Sequence, residues 1–127
     1  MKRVTGIGGI FFKAKDPSTM YEWYEKYLGI QREADGSGSM FHWRDAADPE
    51  KKGLTVWSIF PQDTKYFGSD QSPFMMNYRV ENMDELLKAL REEGVNIAKA
   101  EEHEYGKFAW VIDPEGNRIE LWEPPKE

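Results

Sequence analysis

Few side chains in this sequence could carry out chemistry on their own. There is no cysteine, which removes thiolate nucleophiles, thiolate zinc sites and disulfides. Two histidines are present. His42 lies in Met40-Phe41-His42-Trp43-Arg44, where strand alternation sets it on the side opposite Phe41 and Trp43. His103 lies in Glu101-Glu102-His103-Glu104, a charged run that reads as solvated surface. Glu120, in Arg118-Ile119-Glu120-Leu121-Trp122, is a carboxylate that could bind a ligand, hold a cation or, given a partner, move a proton. Aromatic side chains are the richer resource: five Trp, six Tyr and seven Phe in 127 residues. They can stack on a flat ligand, hold a cation through their faces, or pack against one another.

The charge balance narrows the partners. Asp and Glu total 23 against 17 Lys and Arg, a net charge of -6. The longest basic runs are Lys2-Arg3 and Lys51-Lys52, so no basic stripe for nucleic acid is expected. No segment has the length of apolar sequence needed to span a membrane. The Ile7–Phe12 run is broken by glycines and closed by Lys13 and Lys15, so it does not read as a secretory leader. A cytoplasmic location is expected.

These residues need elements to position them. Ile7–Ala14 reads as a strand, followed by Asp16 as N-cap and Pro17 as first helical residue. Met20, Trp23, Tyr24, Tyr27 and Leu28 recur at helical spacing, and Gly29 ends the helix. Short strands are expected at Ile30–Glu33 and Ser39–Arg44, then a polar loop over Asp45–Gly53. Another strand, Leu54–Phe60, is closed by Pro61, and Gln62–Pro73 reads as a linker or crossing loop. The pattern restarts with a strand at Phe74–Val80. Asn82 caps a helix with Glu85 at the capping-box position, Met83, Leu86, Leu87 and Leu90 form its apolar stripe, and Gly94 ends it. Strands follow at Val95–Ala100, Lys107–Ile112 and Arg118–Glu123, the last two joined by the turn Asp113-Pro114-Glu115-Gly116-Asn117. The halves match: Asp16 and Asn82 are 66 positions apart, Gly29 and Gly94 65, Pro61 and Pro124 63.

The pieces Ala14-Lys15-Asp16 with Tyr27-Leu28-Gly29, Val80-Glu81-Asn82 with Glu93-Gly94, and the block Asp113–Leu121 resemble the vicinal oxygen chelate superfamily of glyoxalases, bleomycin-resistance proteins and extradiol dioxygenases. The resemblance covers nearly the whole chain. It implies one α+β domain, 1–127, in which two βαβββ modules (about 1–61 and 74–127) form a curled mixed sheet around a cup with helices outside. A homodimer is implied as well. In metal-dependent members four cup-facing residues hold a divalent ion. Carried over position by position, they fall on Gly9, Trp57, Met75 and Glu120. Only Glu120 is a good donor for such an ion; no metal or other cofactor is expected, although a weakly held divalent ion stays open.

Alternation then groups side chains around that position. Phe11 and Lys13 follow Gly9; Thr55 and Ile59 accompany Trp57; Asn77 and Arg79 accompany Met75; Arg118 and Trp122 accompany Glu120; Phe108 and Trp110 point the same way. Ile10-Phe12, Met76-Tyr78 and Ile119-Leu121 would form the core under the helices. Phe11, Trp57, Trp110 and Trp122 make an expected aromatic box, open to a flat or cationic ligand, with Lys13 and Arg79 able to meet an anionic group. The same rings could instead serve packing or a dimer interface. The resulting expectation is a glyoxalase-like protein that binds a small organic ligand without the usual metal, sequestering or converting it. Its alternative is a metal-dependent lyase, isomerase or dioxygenase using Glu120, for which His42 is a further possible donor.

Overall fold

Asp16 and Asn82 start the two helices, as their short polar side chains dictate. In a computed structural model, which describes residues 2–68 and 72–126, the order is β1 (Val4–Ala14), α1 (Pro17–Leu28), β2 (Ser39–Arg44), β3 (Lys52–Pro61), β4 (Phe74–Val80), α2 (Met83–Glu92), β5 (Ile97–His103), β6 (Gly106–Ile112) and β7 (Arg118–Glu123). The architecture is α+β, with seven strands in parallel and antiparallel pairings and two helices. No helix among the described residues is long and apolar enough to cross a membrane. Two compact units are present: Met1–Gly8 with Met75–Glu127, here the Glu120 unit, and Gly9–Phe74, here the Trp57 unit.

In the Trp57 unit the strand order is β2-β3-β1. β1 runs parallel to β3, with Phe11 opposite Ser58 and Phe12 opposite Ile59. The Asp16 carboxylate accepts from the Thr19 N–H (3.2 Å) and hydroxyl (2.7 Å), satisfying a donor that the first turn leaves open. Gly29, at φ 72°, ends α1 in the left-handed conformation. The Ile30 N–H turns back to the Tyr24 carbonyl at 3.2 Å. That bond is why the expected strand at Ile30–Glu33 does not form. Ile30 is engaged in the helix end and packs beneath α1, and the Gln31 carbonyl accepts from the Ser39 hydroxyl.

Tyr21 of α1 is buried with Trp57 and Ile59 of β3, and Phe12, Met20 and Tyr24 pack around them. The Gln62–Pro73 segment is more than a connector. Phe67 is fully buried (0% exposed) and meets Phe60 at 5.2 Å between ring centroids. Residues 69–71 of that segment lie outside the described ones.

In the Glu120 unit the order is β1-β4-β7-β6-β5. β4 runs parallel to β7, while β7, β6 and β5 are antiparallel. α2 covers one face and buries Val80, Met83, Leu86, Leu87, Ala109, Val111 and Leu121, with Tyr78 and Ile119 packed against them. Each of the larger side chains among these contributes about 1.5–3 kcal/mol by leaving water. The Asn82 side chain accepts from the Glu85 N–H (3.1 Å), and Glu123 of β7 accepts from the Met83 N–H (2.7 Å). The helix start is thereby tied to the strand that carries Glu120. β5 begins at Ile97 and extends to His103, later at both ends than the apolar pattern of Val95–Ala100 suggests.

The turn between β6 and β7 fixes the register of both. Asp113 Oδ1 accepts from the N–H groups of Glu115 and Asn117, both at 2.9 Å. The Asn117 side chain, with these backbone bonds, holds the Asp113 carboxyl below its ordinary value of 3.8. A depressed folded value means stability that is present above the unfolded value and lost as pH falls through the folded one. Asp113→Ala should therefore lower the melting temperature at pH 7, and the gap to the parent should close as pH falls below the ordinary carboxylate value of 3.8. A gap that stays constant with pH would show that the ionised carboxylate is not what holds the turn.

Candidate functional site

Glu120 is placed by register. On β7 it lies directly opposite Asn77 of β4 on one side and Trp110 of β6 on the other. Each neighbour supplies an N–H: Asn77 Nδ2 donates to Oε1 (2.5 Å) and Trp110 Nε1 to Oε2 (2.9 Å). All three side chains are 2% exposed. A carboxylate taken out of water keeps its charge only with such donors. The Asn77 Oδ1 is buried without a hydrogen-bond partner. Close beside it runs β1, where a Cβ built on Gly8 would collide with Asn77 Oδ1 and stand 2.9 Å from Arg79 Cγ and 3.2 Å from the Trp122 ring. Only glycine admits this approach.

The face away from α2 carries a row of aromatic rings. Phe108 lies nearly parallel to Trp110 (6.2 Å, 15°) and to Trp122 (6.1 Å, 11°). His103 stacks on Phe108 at 4.7 Å and 17°. Cations lie over these rings: Arg79 over Trp122 at 5.2 Å, and Arg118 and Lys99 over Trp110 at 5.5 and 5.8 Å. Phe108 and Trp122 are half-buried, and His103 is exposed. Trp110 is covered; its indole serves Glu120 more than a ligand.

The sequence-derived box is thus divided. Met75, Asn77, Arg79, Trp110, Glu120 and Trp122 all belong to the Glu120 unit, and the last five share contacts on one face. Phe11 and Lys13 belong to the other unit, in a cluster with Phe60 and Phe67: Phe11 meets Phe60 at 5.5 Å, and the Lys13 ammonium lies 5.4 Å from the centre of the Phe67 ring. Trp57 requires a correction. It points toward α1, against Phe12 (5.5 Å), Tyr24 (5.0 Å) and Tyr21 (5.9 Å), and Thr55 and Ile59 share its parity.

The slip comes from the prolines. Pro124 follows the last residue of β7, whereas Pro61 is itself the last residue of β3, so counting back four lands on the wrong face. Counting from the strand ends instead gives Ser58, whose hydroxyl donates to the Ser37 carbonyl at 3.1 Å. His42 is exposed and pairs with Leu54, which places it on the face opposite Trp57. His103, which the charged run assigns to surface, is exposed; its stack on Phe108 is what reasoning from sequence misses. Its alternation with Glu101 and Lys99 on β5 is the signal that could have found it.

The donors present do not fit the divalent ion that the resemblance implies. Gly9 offers no side chain, Met75 a thioether, the corrected position Ser58 a neutral hydroxyl that already donates to the Ser37 carbonyl, and both Glu120 oxygens already accept N–H groups. Among the described residues no three His, Cys, Asp or Glu side chains are grouped to hold an ion.

The family described as Glyoxalase/Bleomycin resistance protein/Dioxygenase superfamily matches residues 6–121. No curated protein matches the chain in sequence. Among solved structures, a variant of methylmalonyl-CoA epimerase from Streptomyces coelicolor, in complex with 2-nitronate-propionyl-CoA, superposes with a TM-score of 0.67 at 16% identity, covering 97% of this chain and 99% of that one. Methylmalonyl-CoA epimerase from Mycobacterium tuberculosis gives 0.58 at 18% identity, with 99% and 92% covered. A structure titled NAD-dependent benzaldehyde dehydrogenase from Legionella pneumophila gives 0.58 at 14%, with 92% and 98% covered. At these identities the likeness is one of fold.

Three substitutions probe this arrangement. Glu120→Ala leaves two buried N–H donors without an acceptor and should cost about 2–5 kcal/mol. Gly8→Ala drives a methyl into Asn77 and should cost about 1–3 kcal/mol. Urea denaturation measures both, and a neutral Gly8→Ala would refute the close approach of β1. Trp57→Ala should cost about 3–5 kcal/mol of stability as a core truncation; a fully stable Trp57→Ala would contradict its place under α1.

Proposed function

Because the chain belongs to the Glyoxalase/Bleomycin resistance protein/Dioxygenase superfamily, we propose that it binds a small organic molecule on the aromatic face beside Glu120, without a divalent metal. The row of near-parallel rings carries this reading, since Phe108 and Trp122 keep part of their surface open. Partly exposed rings set in line, next to a fixed carboxylate, make a ready stacking surface for a planar group. Sequestration and metal-free conversion of the ligand both fall within this reading. The metal-dependent lyase, isomerase or dioxygenase alternative is less well supported. It would require Glu120 to give up the N–H bonds from Asn77 and Trp110 that offset its burial.

A homodimer belongs to the same proposal, with support from the family resemblance; sedimentation velocity should give one species at twice the monomer mass, and a monomer at all concentrations would remove it. Ligand binding is tested by thermal shift against a panel of small organic molecules that includes a CoA thioester, since structural neighbours are solved with such compounds. A hit should bind about tenfold or more weakly to Phe108→Ala and Trp122→Ala. Unchanged affinity in both variants would remove the aromatic face from the reading. Reconstitution with Mg²⁺, Mn²⁺ or Zn²⁺ should give less than one equivalent and no rise in melting temperature. Stoichiometric uptake with a raised melting temperature would favour the alternative.

A further inference from the structure

The two halves of the chain treat their outer strands differently. β2 and β6 hold matching places: each runs antiparallel to the last strand of its half, which itself runs parallel to the first. β6 is covered on its outer side by β5. Among the described residues no strand pairs with the outer side of β2. The segment in the position to do so is held at the helix end, where Ile30 bonds back to Tyr24. Beyond Ile30 the chain meets only the start of β2: the Glu33 N–H donates to the Gly38 carbonyl at 2.7 Å, and the Ser39 hydroxyl donates to the Gln31 carbonyl. Further along, the Asp45 N–H donates to the Lys51 carbonyl at 3.0 Å, in continuation of the β2–β3 register. Hydrogen-bonded and non-hydrogen-bonded positions alternate along an antiparallel pair. Phe41 and Trp43 therefore bond to β3, while the backbone N–H and C=O groups of Met40, His42 and Arg44 face away from it.

The two end strands also differ in how they are protected. β5 carries Lys99, Glu101 and Glu102, and its register shifts between Ile97 and Lys99; charges and irregularities of this kind keep an edge from pairing. β2 has an unbroken register, no proline and a single charged residue, Arg44, at its end. Its Met40 and Phe41 are 42% and 48% exposed. An unprotected apolar edge is a template for a further strand. β2 is also complementary to itself. In an antiparallel pairing centred on His42, Met40 of one copy meets Arg44 of the other, and the outward backbone groups of all three residues find partners. Phe41 falls opposite Trp43, and Arg44 is kept away from its own counterpart. We propose that two copies of this chain join through the outer edge of β2, strand to strand and antiparallel about His42. This rests on the homodimer proposed above and names its contact surface.

Sedimentation velocity and crosslinking on the full chain test it. His42→Glu and His42→Lys each set like charges across the twofold axis, and each should raise the dimer dissociation constant about tenfold or more. An equal mixture of the two variants should pair at least as tightly as the parent, because opposite charges then face each other. The chain has no cysteine, so His42→Cys introduces a single thiol. It should give a disulfide-linked dimer under mild oxidation, while Glu101→Cys on β5 stays uncrosslinked at the same concentration. The Met40, His42 and Arg44 amides of the parent should exchange with solvent faster on dilution. Should the charge variants fail to fold, the crosslink and the amide exchange carry the test.

Dissociation by either charge and recovery on mixing support the proposal. A parent that is monomeric at all concentrations overturns the homodimer and its surface together. A dimer that both charge variants leave unchanged, or that crosslinks through Glu101→Cys instead, keeps the homodimer and overturns β2 as its contact. Variants that dissociate singly and are not restored by mixing overturn the pairing about His42. Amides protected equally at every concentration show that a segment of the same chain covers this edge, which also overturns the proposal.

Discussion

A buried carboxylate costs a protein stability, and much of the Glu120 unit is arranged to make one tolerable. Glu120 sits in the middle strand of three, and its neighbours in register each turn an N–H toward it. That pairing holds only if β4 and β6 lie in one particular alignment along β7. The alignment is secured from outside. The Asp113 turn fixes β6 to β7, and the Glu123 carboxylate, three residues after Glu120, receives the first N–H of α2. A one-residue slip would face the charge with apolar side chains. Register here is thus enforced by electrostatics as well as by hydrophobic alternation.

Much of this is legible in the sequence, for reasons that can be named. Helix caps are local: Asp16, Asn82, Gly29 and Gly94 act on residues three to five positions away, and they mark both helices. In the second half the Asp113 turn gives a fixed origin from which alternation can be counted. Phe108, Trp110, Glu120 and Trp122 then fall on one face and Ile119 and Leu121 on the other, as the contacts have it. In the first half the counting mark is a proline, and Pro61 plays a different part from Pro124. One residue of error turns Trp57 from core to site.

What stays hidden is whatever depends on register between distant strands. Asn77 and Glu120 are separated by 43 positions, and nothing local announces their bond. His103 is hidden for another reason: its neighbours Glu101, Glu102 and Glu104 describe solvent, while its own ring lies on Phe108. Composition reports the environment of a segment, whereas a strand offers each residue one of two environments. Phe67, in a turn rather than a strand, is fully buried within a stretch that reads as linker; there too the composition of the segment misreports one side chain.

Gly8 bears on the order in which substitutions can accumulate. Its missing Cβ lets β1 lie against Asn77, Arg79 and Trp122, and Asn77 in turn holds Glu120. Any larger residue at position 8 is felt at position 77 first, and a change at 77 releases a buried charge. Positions 8, 77 and 120 are therefore epistatically linked: a descendant of this chain that gains a side chain at 8 must first rebuild the partner of Glu120. The glycine acts as a ratchet, holding the lineage to its present arrangement of donors more firmly than any single bond within it.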